Sequence, residues 1–340
     1  MPGLAPYWLP LLGTVPAGLP PSPFRFERGH SDPYPYYTSG ALLEPSFYAN
    51  LKRDFPPVPP GVLSGANKPG AKSIRREDDA YGELLARSPA WRTLHNFVHS
   101  QSMLDLGMGL FGDALTRDRR CLVDPKQVRY FDHVEHLAHR IPERGIYPGV
   151  RGPEPTAYFL RRQHKVGDPN LMYTVMDFFH TPGNITTGQN QGRARASSES
   201  CSGCYVNGLH LDGAMRTFSI LIYFSDSGQD GGDFLIARGR RVSNLTVTQR
   251  YQVHDNFGLA HLSPHPAAFH GATRFVGVDR YRQLVQIQAT SAWSICRTVK
   301  VEDRNFEERF KQYTALKQQR PRPEEIDASW ERPDPRLKRT

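Results

Sequence analysis

Residues 208–234, GLHLDGAMRTFSILIYFSDSGQDGGDF, and 269–282, FHGATRFVGVDRYR, decide the fold. In an extended strand, residues i and i+2 point to the same side, so His210 and Asp212 face one way and Leu211 the other. The next ligand must come from another strand. His270 follows Asp212 by 270 − 212 = 58 residues, enough for several short antiparallel strands to cross a barrel and return. Two imidazoles and one carboxylate on one face of an octahedron leave three positions open, the arrangement of a non-haem Fe(II) site.

Beyond His270, Arg280 and Arg282 lie one strand further on. A permanently charged guanidinium there can fork onto the distal carboxylate of a dicarboxylic acid chelated at the iron, which is the place for 2-oxoglutarate. The two arginines are two apart and so share a face. Spacing favours Arg280, with Arg282 as the competing anchor, a substrate contact or a residue beyond the barrel.

These residues resemble the 2-oxoglutarate/Fe(II) dioxygenases, and within them the prolyl hydroxylase-like branch of prolyl 4- and prolyl 3-hydroxylases. The similar stretch runs from about 173 to 288. His210 and Asp212 match the His-x-Asp pair of that family, His270 its distal His, and Arg280 its basic residue ten positions on. SILIYFSD (219–226) and GQDGGDF (228–234) are similar to its strand, turn and Gly-Gly segment, and GLAHLSPHPAAFHG (258–271) to the strand and loop before the distal His. The resemblance implies that His210, Asp212 and His270 hold Fe(II), that Arg280 or Arg282 binds 2-oxoglutarate with help from the Tyr223 hydroxyl, and that ascorbate serves as reductant. The chain departs from the family at Phe178-Phe179-His180-Thr181-Pro182-Gly183, where many members carry a Tyr, and in a long polar insert, 185–207, read as a lid or substrate loop.

Blander readings exist for each piece. His-x-Asp alone also describes a hydrogen-bonded surface pair, and the chain has 13 His. His261 and His265 lie near His270, but the following Gly-Ala-Thr and the offset to the arginine favour His270; His164, His180 and His254 read as loop or strand residues with polar partners. Cys201-Ser-Gly-Cys204 has the spacing of half a zinc site or a redox pair, yet Cys121 and Cys296 stand alone in the sequence, so a loop disulfide or free thiols are favoured. The net charge of +9 is spread over many segments, and the densest internal patch, Arg238-Gly-Arg240-Arg241, comes with no RNA-binding motif. A solvated basic surface is expected, and no nucleic-acid partner.

Outward from this region, residues 1–32 form a Pro- and Gly-rich extension, and 33–298 the catalytic domain, helical over about 33–140 and jelly-roll over about 155–298. Glu44-Pro45 opens a helix that ends before Pro56-Pro57; a connection follows to about Asp79; Ser88-Pro89 starts a second helix and Ser100 caps a third. Residues 299–340 form a charged helix and tail. No Lys or Arg precedes Arg25, so the basic start of a secretory signal is missing, no apolar run is long enough to span a bilayer, and the cytosol is the default location. Sequons at Asn184 and Asn244 matter only in a secreted chain. Nothing in the sequence sets an oligomeric state.

The expected fold is therefore α+β, mainly β: a double-stranded β-helix, or jelly-roll barrel, buttressed by N-terminal α-helices. The expected reaction hydroxylates an unactivated C–H bond of a protein, peptide or small molecule, a peptidyl proline first, and releases succinate and CO2. A non-catalytic jelly-roll that binds a metal or ligand is the alternative, and a zinc hydrolase the third reading.

Overall fold

A computed structural model describes residues 15–16, 18–57, 72–76, 78–117, 121, 123–130, 170–182, 209–212, 216–225, 231–239, 245–265, 267–273, 275 and 281–291. Arg280, the insert 185–207, Cys201, Cys204, Cys296, both sequon asparagines and the segment 299–340 lie outside these residues. Cys121, alone by sequence spacing, is disulfide-bonded.

Local chemistry sets the helices. In α1 (Pro45–Arg53) the Glu44 side chain accepts from the Phe47 amide and Pro45 fits the first turn, where no amide donor is needed. In α3 (Pro89–Val98) Ser88 accepts from the Trp91 amide. Ser100 does not cap α4 (Gln101–Arg117) through its side chain: its hydroxyl donates back to the Phe97 carbonyl at 2.7 Å. Between the end of the connection, expected at about Asp79, and Ser88 lies a further helix, α2 (Asp79–Arg87), which buries Tyr81 and Leu84 one turn apart.

The strands make two sheets, mainly antiparallel. The larger takes the order β1 (Arg28–His30), β2 (Tyr36–Ser39), β9 (Gly258–Leu262), β6 (Arg216–Tyr223), β11 (Tyr281–Ser291), β5 (Leu171–Pro182), β3 (Lys72–Ile74), with β4 (Arg129–Tyr130) parallel to β5. The smaller is β10 (Phe269–Ala272), β7 (Phe234–Arg238), β8 (Thr246–Tyr251), and His210 extends it by bridging His270. Short strands thus precede the first helix, and Arg28–His30, inside the stretch read as an extension, pairs with β2.

Alternation gives the large sheet two distinct faces. Phe218, Ile220, Ile222, Ala260, Leu262, Val285 and Ile287 pack with the helices. Leu221, Tyr223, Leu259 and Leu284 face the small sheet and meet Phe234, Ile236 and Phe257 there. The helix layer lies very close: a Cβ added to Gly107 of α4 would fall 2.0 Å from the Phe218 ring, so only glycine fits. No helix among the described residues is long and apolar enough to cross a membrane.

Candidate metal centre

His210 and His270 form a hydrogen-bonded antiparallel pair, exchanging backbone bonds of 2.9 and 3.1 Å. This pairing sets their ring centroids 4.6 Å apart. Ligand atoms of His210, Asp212 and His270 all lie within 4.8 Å of one another. The three residues singled out in the sequence are therefore brought together between the sheets.

The donor set suits a divalent cation. His270 Nδ1 donates to the Ala268 carbonyl at 2.9 Å, which leaves Nε2 with its lone pair for a metal, and Phe234 stacks on the ring at 5.7 Å. Burial, reinforced by His261 and opposed by Asp212, pushes the His270 imidazole down to about 4, so at neutral pH no proton competes for that lone pair. For Asp212, burial raises the carboxyl, but Arg216 and then His270, His261 and His210 outweigh it and hold the group well below the usual carboxylate range.

Asp212 is held by more than the sequence pattern announced. Arg216 ion-pairs with Oδ1, while Ser219 and Ser263 donate to Oδ2 at 3.3 and 3.2 Å. His261, weighed in the sequence against His270, is fully buried with its ring centroid 4.3 Å from that of His270. Cross-strand register gives a row Tyr36–His261–Ser219–Gln288 across the inner face. The signal for Ser219 was present in the strand period, since it shares parity with Tyr223; nothing local marked His261 or Arg216.

A second polar pair lies further along the same wall. Tyr223 is four residues beyond Ser219, about 13 Å at the strand rise. Arg282 is buried, donates from Nη2 to the Tyr223 hydroxyl at 2.9 Å, and leaves Nε without a hydrogen-bond partner. Its stem passes Gly232, where a Cβ would meet Arg282 Cδ at 3.1 Å and where φ is +83°, so the Gly-Gly turn is shaped to this side chain. Burial raises the Tyr223 phenol against the opposing pull of Arg282, so it remains a neutral hydroxyl. His180, in contrast, bonds the Pro56 carbonyl at 2.9 Å on the far strand, and the exposed Arg238 pairs with Asp32 at the surface.

No protein-family model matches the sequence, and neither does any curated protein. Among solved structures the chain is similar to a prolyl-4-hydroxylase from Pseudomonas putida, at 12% identity over 75% of this chain and 91% of that one, with a TM-score of 0.33. It is similar to EvdO2 from Micromonospora carbonacea var. aurantiaca complexed with 2-oxoglutarate, at 9% identity over 75% and 86%, with a TM-score of 0.35. It is also similar to IDO from Bacillus thuringiensis, at 15% identity and a TM-score of 0.24; this covers 35% of the chain and only 45% of that protein. Likenesses this distant carry no weight for the chemistry, which rests on the side chains.

Proposed function

We propose that the protein is an Fe(II)- and 2-oxoglutarate-dependent oxygenase that hydroxylates an unactivated C–H bond. One observation carries this reading: the His210, Asp212 and His270 cluster, with its histidines on the small sheet, and the buried Arg282–Tyr223 pair on the large sheet both line the space between the two sheets. A metal site alone fits several chemistries, but a metal site facing a buried guanidinium fits a small dicarboxylic acid reaching from one to the other. Strand order supports the jelly-roll reading, since β5–β11–β6–β9 opposes the His210 segment–β10–β7–β8, and from β5 onward the chain changes sheet at each step except between the paired neighbours β7 and β8.

His210, Asp212 and His270 would hold the ferrous ion. Bound there with 2-oxoglutarate, it supplies the oxidising power that puts one atom of dioxygen into the substrate and the other into succinate as CO2 leaves. Arg282 would grip the distal carboxylate in a charge-assisted pair, with the Tyr223 hydroxyl as a second donor once the acid is seated. Burial favours Arg282 for this role, whereas sequence spacing favours Arg280. Leu221, Leu259 and Leu284 exclude water between the polar ends. The substrate proposed first is a peptidyl proline, on the resemblance of the motifs to prolyl hydroxylases, with ascorbate as reductant.

Anaerobic protein with Fe(II) and 2-oxoglutarate is expected to develop a weak visible charge-transfer band, and a panel of proline peptides and small molecules is expected to yield succinate coupled to product. Metal binding with no band and no succinate would leave a non-catalytic binding module instead.

A further inference from the structure

Both ring nitrogens of His261 lack a hydrogen-bond partner although the residue is fully buried. Such atoms have given up water and received nothing in return, which a fold rarely tolerates unless a ligand or a rearranged neighbour completes them. The neighbour is at hand: Nε2 lies 3.7 Å from Asp212 Oδ2, just outside bonding distance. That carboxylate already receives Arg216 on Oδ1 and two serine hydroxyls on Oδ2, so its roughly four lone-pair directions are nearly filled. A metal claiming one carboxylate oxygen has to displace or share one of these donors, and the carboxylate must turn.

We propose that His261 is a positioning residue of the metal centre, whose Nε2–H donates to Asp212 once a metal is bound and fixes the orientation of the carboxylate. The proposal rests on the reading of His210, Asp212 and His270 as metal ligands. It explains why an imidazole occupies a position in β9 flanked by Leu259 and Ala260 on one side and Leu262 on the other, opposite Ser219 and Tyr36. His261 comes from the large sheet, whereas His210 and His270 belong to the small one, so the bond it makes would also tie the two sheets together through the ligand. Tyr34, fully buried with an unbonded hydroxyl and a ring 6.4 Å from that of His261, closes this side of the centre.

The test is Co(II) titration of the metal-free full chain, without 2-oxoglutarate, followed by visible absorption. His261→Leu is expected to weaken Co(II) binding about ten- to a hundredfold, the usual effect of removing a partner of a metal ligand, while the metal-free thermal midpoint stays equal or rises. His261→Gln, whose amide N–H can reach Asp212, is expected to recover most of the affinity. Wild-type affinity in His261→Leu overturns the proposal. A second measurement does not depend on the variants folding: histidine-labelled 15N NMR of the Zn(II)-loaded wild type is expected to show His261 uncoordinated, with a hydrogen-bonded N–H. A coordinated His261 nitrogen overturns the proposal by making the residue a ligand. Failure of the underlying site reading looks different: wild type and His270→Ala would then bind Co(II) equally weakly or equally well.

Discussion

The guanidinium of Arg282 donates to the Tyr223 hydroxyl at 2.9 Å, a buried bond between neighbouring strands with the arginine Cζ 5.0 Å from the ring centroid. Tyr223 thus receives a hydrogen bond and keeps its own proton, which in the proposed function would be donated to the carboxylate of 2-oxoglutarate. Arg282→Lys keeps the charge but loses the fork, and is expected to weaken 2-oxoglutarate binding about tenfold, with Arg282→Ala weaker still. Tyr223→Phe removes one donor and is expected to cost about 1 kcal/mol, near fivefold. Titrating the charge-transfer band measures each; a larger defect in Arg280→Ala than in Arg282→Ala would return the anchor to Arg280.

His270→Ala removes a ligand whose lone pair is oriented by the Ala268 carbonyl, and Asp212→Ala removes the only carboxylate of the cluster. Each is expected to lower Fe(II) affinity by more than about a hundredfold, with far-ultraviolet circular dichroism unchanged in His270→Ala. Asp212→Ala also strips Arg216, Ser219 and Ser263 of their acceptor, so it should lose thermal stability as well. Full affinity in both variants, measured by competition with a chelator, would move the metal elsewhere.

Acid is expected to destabilise the metal-free protein in a defined window. Burial holds His261 and His270 at about 4 in the fold, against about 6.5 in the unfolded chain, so unfolding takes up protons between those values. Stability conferred by the neutral imidazoles is complete above about pH 6.5 and declines as pH falls towards 4. Urea midpoints measured in the presence of a chelator should therefore drop across that range, and His261→Leu should flatten the slope by roughly half. A midpoint independent of pH between 6.5 and 4 would contradict the burial of these rings.

Gly107→Ala places a methyl where the Phe218 ring already stands, 2.0 Å from the nearest ring carbon. Helix propensity would favour alanine by up to about 1 kcal/mol, yet overpacking of this severity is expected to cost about 1–3 kcal/mol and win. A chemical denaturation curve reads the difference, and Phe218→Leu in the same chain should restore much of it. If Gly107→Ala alone is more stable than wild type, α4 does not sit against β6 as described.

What the sequence made legible was periodic or local. The His210-x-Asp212 spacing, the Glu44-Pro45 and Ser88-Pro89 helix starts and the strand-like apolar run over 218–223 can each be read from neighbours in the chain. What stayed hidden depends on partners far away. His261 has its meaning only because β9 is laid beside β6, which puts it next to Ser219. Arg280 and Arg282 have the same strand parity, so periodicity cannot separate them, and the burial of Arg282 against the Tyr223 hydroxyl is visible only once β11 lies beside β6. The α2 helix escaped notice because it is 9 residues long with Gly82 in its interior, and β1 because a Pro- and Gly-rich neighbourhood masks a three-residue pairing.

The two-faced character of β6 limits how this protein can diverge. Residues that face the small sheet and residues that seat the helices take turns along one strand, Ser219, Leu221 and Tyr223 on one side and Phe218, Ile220 and Ile222 on the other. Losing or gaining a single codon between 218 and 223 would turn the wall inside out, presenting phenylalanine and isoleucine to the His210, Asp212 and His270 cluster and a tyrosine hydroxyl to the helices. The lining of this space can therefore change by exchange of side chains or by steps of two residues, while frame-preserving changes of one residue are a dead end for the fold.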